Sequence, residues 1–434
     1  MKKIIFFLIF ITSHFITAQY LYQTEPIVRV RIINDADSLK VIFNSDWELI
    51  CKGENRLSFS SSDEAIFTVK NHQIEILSSN GKIFLSENNF VLKSIADSSA
   101  LMIKDVPYGV GWWWEGKEDR IYEGEIHIYQ TAEQKIEVVV HLPIEQYLKG
   151  VVPYEIGSDS PLEALKAQAV AARSEAIVAL MSKLYSGEHY DLTSDVECQV
   201  FSGNHKRTTN SDFAVDLTRG LIITENGEPI NAYYASNCGG HSELIKNVWP
   251  ERPEAQSYSI SKFDWEEQSD IDLSNEITLR EWIFSNPDSY CNPNINSDLP
   301  EWSRNNFRWK REFTSEEITK MLSKENNFGK FIDIKILERG TSGRAIVADF
   351  IFEKDTLEIK GELNIRQMFS PPLRSSCFLV DKTQSGFTLY GAGWGHGVGM
   401  CQSGTVSMAN NGKTFEDILK HYYRNAVLLQ TYQK

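Results

Sequence analysis

Basic residues are in short supply in this chain: 44 lysines and arginines face 59 aspartates and glutamates, a formal net charge of −15 over 434 residues. That deficit excludes nucleic acid as a partner, because polyanion binding is driven by clustered cations. It also argues against adhesion to anionic membranes or strongly acidic wall polymers, while a neutral glycan in a local cleft stays compatible. Cysteine is sparse as well: Cys51, Cys198, Cys238, Cys291, Cys377 and Cys401 are all there is. Small secreted scaffolds that depend on disulfides are far denser, so this fold should rest on its apolar core. No internal repeat or low-complexity run breaks the chain. A hydrophobic content of 42% with 12% aromatics is that of a folded protein. The length allows two or three cores, or one elaborated domain.

What is present begins with residues 1–18, where Lys2 and Lys3, an apolar run and Ala18 before Gln19 give the layout of a signal peptide. The chain is therefore expected to be exported. The run contains Ser13 and His14 and is short for a membrane-spanning helix, and no cysteine follows it as a lipid anchor. Residues 19–115 alternate apolar and polar positions in short pieces separated by polar turns, the pattern of a β-rich N-terminal region. Near its end, Trp112, Trp113 and Trp114 form either a sugar-stacking platform or a hydrophobic plug.

Residues 116–434 read as one larger mixed domain with an elaboration at about 253–312. YEGEIHIYQTAEQKIEVVVHLPIEQY, from Tyr122, gives two alternating strands and a turn. A long alanine-rich helix follows, with Ser160 expected as N-cap, Pro161 at the first helical position and Glu163 closing a capping box. Ala164, Ala167, Ala171 and Ala179 keep nearly every face narrow, so neighbours can approach on several sides. Lys166, Gln168, Arg173 and Glu175 interrupt that surface and need partners wherever the helix is buried. Glu155 precedes the helix on what reads as a Pro153-containing loop, a placement that suits acid/base chemistry. Further on, Thr278 with Glu281, and Thr314 with Glu317, read as capping boxes, the second opening a helix through Lys324. The glycine-rich run GAGWGHGVGMCQSG from Gly391 implies tight backbone turns around His396. It lacks the lysine of a phosphate-binding loop.

Four segments carry a resemblance. LPIEQYLKGVVPYE from Leu142, the unbroken EALKAQAVAAR over residues 163–173, HYDLTSDVECQVFSG from His189 and GHGVGMCQ from Gly395 resemble the SpoIID/LytB family, stage II sporulation protein D and its relatives. Cys401 stands where that pattern usually has serine. The order of these elements predicts an α+β fold, a mixed β-sheet core packed on the long alanine-rich helix, with a β-rich N-terminal region.

The resemblance implies a peptidoglycan lytic transglycosylase. Such an enzyme cuts between N-acetylmuramic acid and N-acetylglucosamine and leaves 1,6-anhydro ends. Glu155 would be its catalytic acid/base, with Gln199, Ser236, His396 and Gln402 as substrate-binding residues. One carboxyl is enough for that reaction, since it protonates the glycosidic oxygen and then, as a base, activates the sugar's own C6 hydroxyl. Glycoside hydrolases instead need two carboxylates about 5 to 9 Å apart. The competing implication is a non-catalytic wall-binding protein that stimulates a cell-wall amidase, as some relatives do.

Some members hold zinc in the segment matching residues 189–198, but Thr193 and Glu197 stand here where a cysteine and a histidine would be expected. No metal or other cofactor is therefore expected, although a non-standard site built from Cys198, Glu197, His189 or His241 stays open. Cys238 and His241, with Cys198 and Cys401, leave open a disulfide or a remote metal site, and a buried free thiol is the simplest role for each cysteine. A metallopeptidase would need a helix-borne ligand pair that the chain lacks.

Overall fold

Segments in which every second residue is apolar become strands, because a strand sends alternate side chains to opposite faces. The structure is a computed structural model that describes residues 20–433, apart from 79–80, 86–88, 97–98, 113, 253–256, 269–270 and 324–326. The expected signal peptide, Trp113 and Lys324 thus lie outside the described residues. The first strands are β1 (Ile27–Ala36), β2 (Ser38–Phe43), β3 (Trp47–Cys51), β4 (Glu54–Phe59), β5 (Glu64–Lys70) and β6 (Gln73–Ser78). They continue with β7 (Gly81–Leu85), β8 (Asn89–Ser94), β9 (Ala100–Tyr108), β10 (Gly116–Glu123), β11 (Glu125–Gln130) and β12 (Ile136–Pro143). A two-residue strand, β13 (Leu192–Thr193), comes later.

These strands form a seven-stranded sheet in the order β13-β1-β12-β11-β8-β3-β4 and a six-stranded sheet in the order β10-β9-β2-β5-β6-β7. Val28 and Val30 of β1, Leu39, Val41 and Phe43 of β2, and Trp47 and Leu49 of β3 bury their side chains in one shared core. Strands on both sides of residue 115 take part in both sheets. β1 runs antiparallel to β12 over most of its length and parallel to β13.

From β12 the chain passes directly into helix α1 (Ile144–Glu155) and then helix α2 (Leu162–Ser182). The alanines of α2 serve two cores at once. Ala164, Leu165, Ala169, Ala172 and Ala176 join the core of the large sheets. Ala167, Val170 and Ala171 join a second core with Ile223, Val398, Met400 and Leu419. A helix that is apolar all round is a buried one, and small side chains let both cores come close. Arg173 is fully buried yet satisfied: its Nε and Nη2 donate to Glu145 at 2.9 and 2.7 Å, and Nη1 donates to the Leu221 carbonyl at 3.0 Å.

Smaller sheets complete the chain. Leu221–Glu225 pairs with Glu228–Pro229 and Val427–Gln430, Gly386–Ala392 with Arg308–Thr314 and Phe378–Lys382, and Ala345–Phe352 with Phe331–Arg339 and Thr356–Lys360. The architecture is α+β with a β-rich N-terminal part, as the sequence implies.

Local details differ from expectation. Ser160 does not cap α2: Pro161 occupies that position without a side-chain bond, and the Ser160 hydroxyl donates to the Ile156 carbonyl at 2.7 Å. Glu163 is drawn instead to Lys166 and to the backbone N–H of Phe415. Helix Glu276–Phe284 is capped by Asn275, not Thr278. The Thr314–Glu317 box forms, with Glu317 N–H donating to Thr314 Oγ1 at 3.1 Å, and opens helix Ser315–Ser323.

Candidate active site

Glu155 is the last residue of α1, not part of a loop, and Pro153 lies within the helix. Gly150 explains how that helix end meets its neighbour. A Cβ at this position would lie 2.5 Å from the Phe201 ring and 2.8 Å from the Gly203 carbonyl, so glycine alone lets the 200–203 segment pack against α1. The close approach brings the Val200 N–H to Glu155 Oε1 at 2.8 Å.

The carboxyl of Glu155 opens into a cleft of about 1600 Å³, larger than the ~300 to 1,000 Å³ of ordinary small-molecule pockets. Its walls come from β1, Pro107, Val110, Trp112 and Trp114, the two helices, the 192–200 segment and the loops near Trp249, Arg366 and His396. Burial pushes the Glu155 carboxyl up to about 7, against the pull of the Val200 N–H and the Gln402 and Tyr234 side chains, which favour the ionised form.

The residues singled out from the sequence fall in different places. Gln199 lines the cleft while buried: its amide donates to the Ala172 carbonyl at 3.1 Å and its oxygen accepts from Tyr234 Oη at 3.2 Å. His396 also lines the cleft, packed on Trp249 at 4.9 Å between ring centres. Its Nδ1 accepts the Val398 N–H at 3.0 Å, which puts the ring proton on Nε2. Burial, with Arg344 and Arg366 nearby, lowers its pKa to about 3, so the ring is neutral. Gln402 lies behind the carboxyl and is not among the residues lining the cleft; its amide donates to Gln168 at 3.2 Å. Ser236 is outside the lining too. Its carbonyl accepts from Ser403 and its hydroxyl from Asn306.

Trp112 and Trp114 are wall residues of the cleft rather than a core plug. Their rings stack at 5.0 Å, and Trp114 meets Trp394 edge-on at 6.1 Å. Aromatic faces of this kind match the apolar faces of sugar rings.

One acidic residue was legible only as a polar interruption of α2. Glu175 shares the cleft with Glu155, and its Oε1 meets no hydrogen-bond partner among the described residues. Burial pushes its carboxyl up to about 8, against the opposing pull of Arg252 and with a further push from Glu155. Its spacing on the helix could have placed it on the face of Gln168 and Ala172, but nothing in the sequence shows that this face borders a cleft.

The 189–198 segment does not fit the zinc site known from some relatives. His189 stacks on Tyr129 at 4.1 Å, and the Cys198 sulfur accepts the Thr193 N–H at 3.5 Å. Among the described residues, they and Glu197 do not gather into a ligand set. His241 is taken up elsewhere, its Nδ1 donating to the Ser242 carbonyl at 2.9 Å and its ring edge-on to Phe263.

Residues 132–224, which hold both helices, Glu155 and the 192–200 wall, match the family described as Stage II sporulation protein. The chain carries a SpoIID-family domain. The match to SpoIID ends near the first small sheet, and residues 243–399 match a second family, described as a domain of unknown function. An uncharacterised protein of Brachyspira hyodysenteriae is 27% identical over 423 residues, 96% of each chain. An amidase enhancer of Bacillus subtilis is 29% identical over 65% of this chain and 40% of its own length. The stage II sporulation protein D of Bacillus amyloliquefaciens is 28% identical over 71% of this chain and 80% of its own.

Proposed function

We propose that this protein is a peptidoglycan lytic transglycosylase in which Glu155 acts first as acid and then as base. The SpoIID-family domain and the amidase-enhancer relative support a cell-wall related function at the coarser level. The observation that carries the finer reading is the Glu155 carboxyl, raised to about 7 inside a large aromatic-walled cleft. At that value a sizeable fraction holds its proton near neutral pH, ready for the glycosidic oxygen, and the resulting carboxylate is basic enough to take the C6 hydroxyl proton.

The environment of Glu175 speaks against a two-carboxylate hydrolase. Such an enzyme needs one carboxyl held ionised, whereas burial raises both carboxyls here. Trp112 and Trp114 would hold a sugar ring, and His396 would stand as a neutral wall. The reading requires export to the cell envelope, for which the layout of residues 1–18 speaks.

Glu155→Gln keeps the shape and removes the proton. Release of 1,6-anhydro muropeptides, followed by mass spectrometry, is expected to fall ~10²- to 10⁴-fold, and cleavage within tenfold of wild type would reject the assignment. The amidase-enhancer relative favours a second reading, a non-catalytic stimulator. Under that reading the parent protein releases no anhydro products, and Glu155→Gln stimulates an amidase as well as the parent does.

A further inference from the structure

Three cysteines far apart in sequence meet at one buried point behind the glycine-rich loop. Cys238, Cys291 and Cys401 are joined there by Asp264, and one ligand atom from each of the four lies within 4.8 Å of all the others. All four residues are buried. We propose that they bind a single structural zinc ion, through three thiolates and one carboxylate oxygen. This inference does not depend on the role of Glu155.

The distances suit a tetrahedral cation. With zinc–sulfur bonds of about 2.3 Å, sulfurs at two corners of a tetrahedron stand ~3.8 Å apart, and Cys238 Sγ lies 3.6 Å from Cys291 Sγ. The surrounding groups also orient the ligands as a metal site requires. Asp264 receives the Tyr422 hydroxyl on Oδ1 at 2.8 Å, with His421 Nε2 3.4 Å from the same oxygen. Oδ2 is left facing the sulfurs, 3.3 Å from Cys238 Sγ. Cys401 stands at the N-cap of helix Gln402–Asn410, where its sulfur accepts the N–H groups of Cys238 at 3.2 Å and Gly404 at 3.4 Å. Such donors fix the direction in which the sulfur faces the other three ligands.

Charge argues the same way. Arg308 feels the field of Cys238 and Cys291 but spends its N–H groups on the carbonyls of Trp282, Ile283, Phe307 and Gly239. His421 faces only Oδ1 of Asp264, so three thiolates and the Oδ2 side of the carboxylate together would present a negative charge that a dication balances. Sulfur-rich sets select zinc over magnesium or calcium, and four protein ligands leave no open position for catalysis. On binding, the three thiols release their protons to solvent while Asp264 binds as the anion. The ion would tie the 253–312 elaboration, through Asp264 and Cys291, to Cys238 and to Cys401. Cys401 directly precedes Gln402, the residue behind Glu155. The sequence leaves Cys238 and Cys401 open to a remote metal site but does not reveal Asp264 or Cys291, because no two of the four share a metal-ligand spacing.

The test uses residues 19–434 purified without chelator. Elemental analysis should find about one zinc per chain, and exchange with cobalt(II) should give thiolate-to-cobalt charge-transfer absorption and the intense visible bands of a tetrahedral site. Cys291→Ser and Asp264→Asn should each weaken zinc binding more than tenfold, while Cys198→Ser keeps it. Should either cluster variant fail to fold, the cobalt spectrum of the parent chain and mass spectrometry of its alkylated thiols still decide. Zinc well below one per chain, cobalt without thiolate bands, or a disulfide linking any two of Cys238, Cys291 and Cys401 would overturn the proposal.

Discussion

A single side chain, Glu175, shows what a raised carboxyl costs the fold. An unfolded glutamate titrates at ~4.3, whereas burial holds this one up to about 8. As the pH rises between those values the unfolded chain sheds the proton and the folded chain keeps it. Stability from this group therefore falls across that window and levels off above it. Glu175→Gln is neutral throughout and removes the slope. The variant's melting temperature relative to wild type is expected to climb from pH 5 to pH 8, measured by thermal denaturation at matched ionic strength. A constant difference would mean that Glu175 is solvated like any surface carboxylate. Glu155 was readable because it sits in a motif, and Glu175 was not, because a polar residue on an alanine helix looks the same beside a core or beside a cleft.

At the scale of elements, alternation made the N-terminal strands legible, and the alanine pattern did the same for α2. The helix that carries Glu155 was hidden by Gly150 and Pro153, both poor helix residues, whose local cost is outweighed by packing of Ile144, Leu148, Val151 and Val152 into the main core. Capping motifs failed where a stronger partner lay elsewhere in the chain, as Phe415 N–H did for Glu163. Gly150 gives this scale its test. Gly150→Ala gains helix propensity but drives a methyl into Phe201 and the Gly203 carbonyl, for an expected net loss of ~1 to 3 kcal/mol. Because the Val200 N–H favours ionised Glu155, loosening that contact should also move upward the pH–rate limb that Glu155 would set under the proposed acid/base role. Thermal melts and the profile together check both effects, and an unchanged profile in a destabilised variant would uncouple Gly150 from the carboxyl.

For the molecule as a whole, the boundary expected near residue 115 has a direct test. β9 pairs with β10 across it, and Arg29 of β1 binds Asp191 beside β13 through its Nε at 3.0 Å and its Nη2 at 2.6 Å. Buried residues of β1, α1 and α2 belong to one core. A chain of residues 116–434 alone is therefore expected to be insoluble or to lack cooperative unfolding, as judged by soluble yield and a denaturant melt. A sharp transition in that fragment would show an independent domain. The placement of β1 between β12 and β13 also sets a timetable for synthesis. The ribosome makes Ile27–Ala36 early, but neither flanking strand exists until Ile136–Pro143 and then Leu192–Thr193 have followed. Through that interval a valine- and isoleucine-rich segment waits with both edges open, an invitation to aggregation that a holding chaperone would answer.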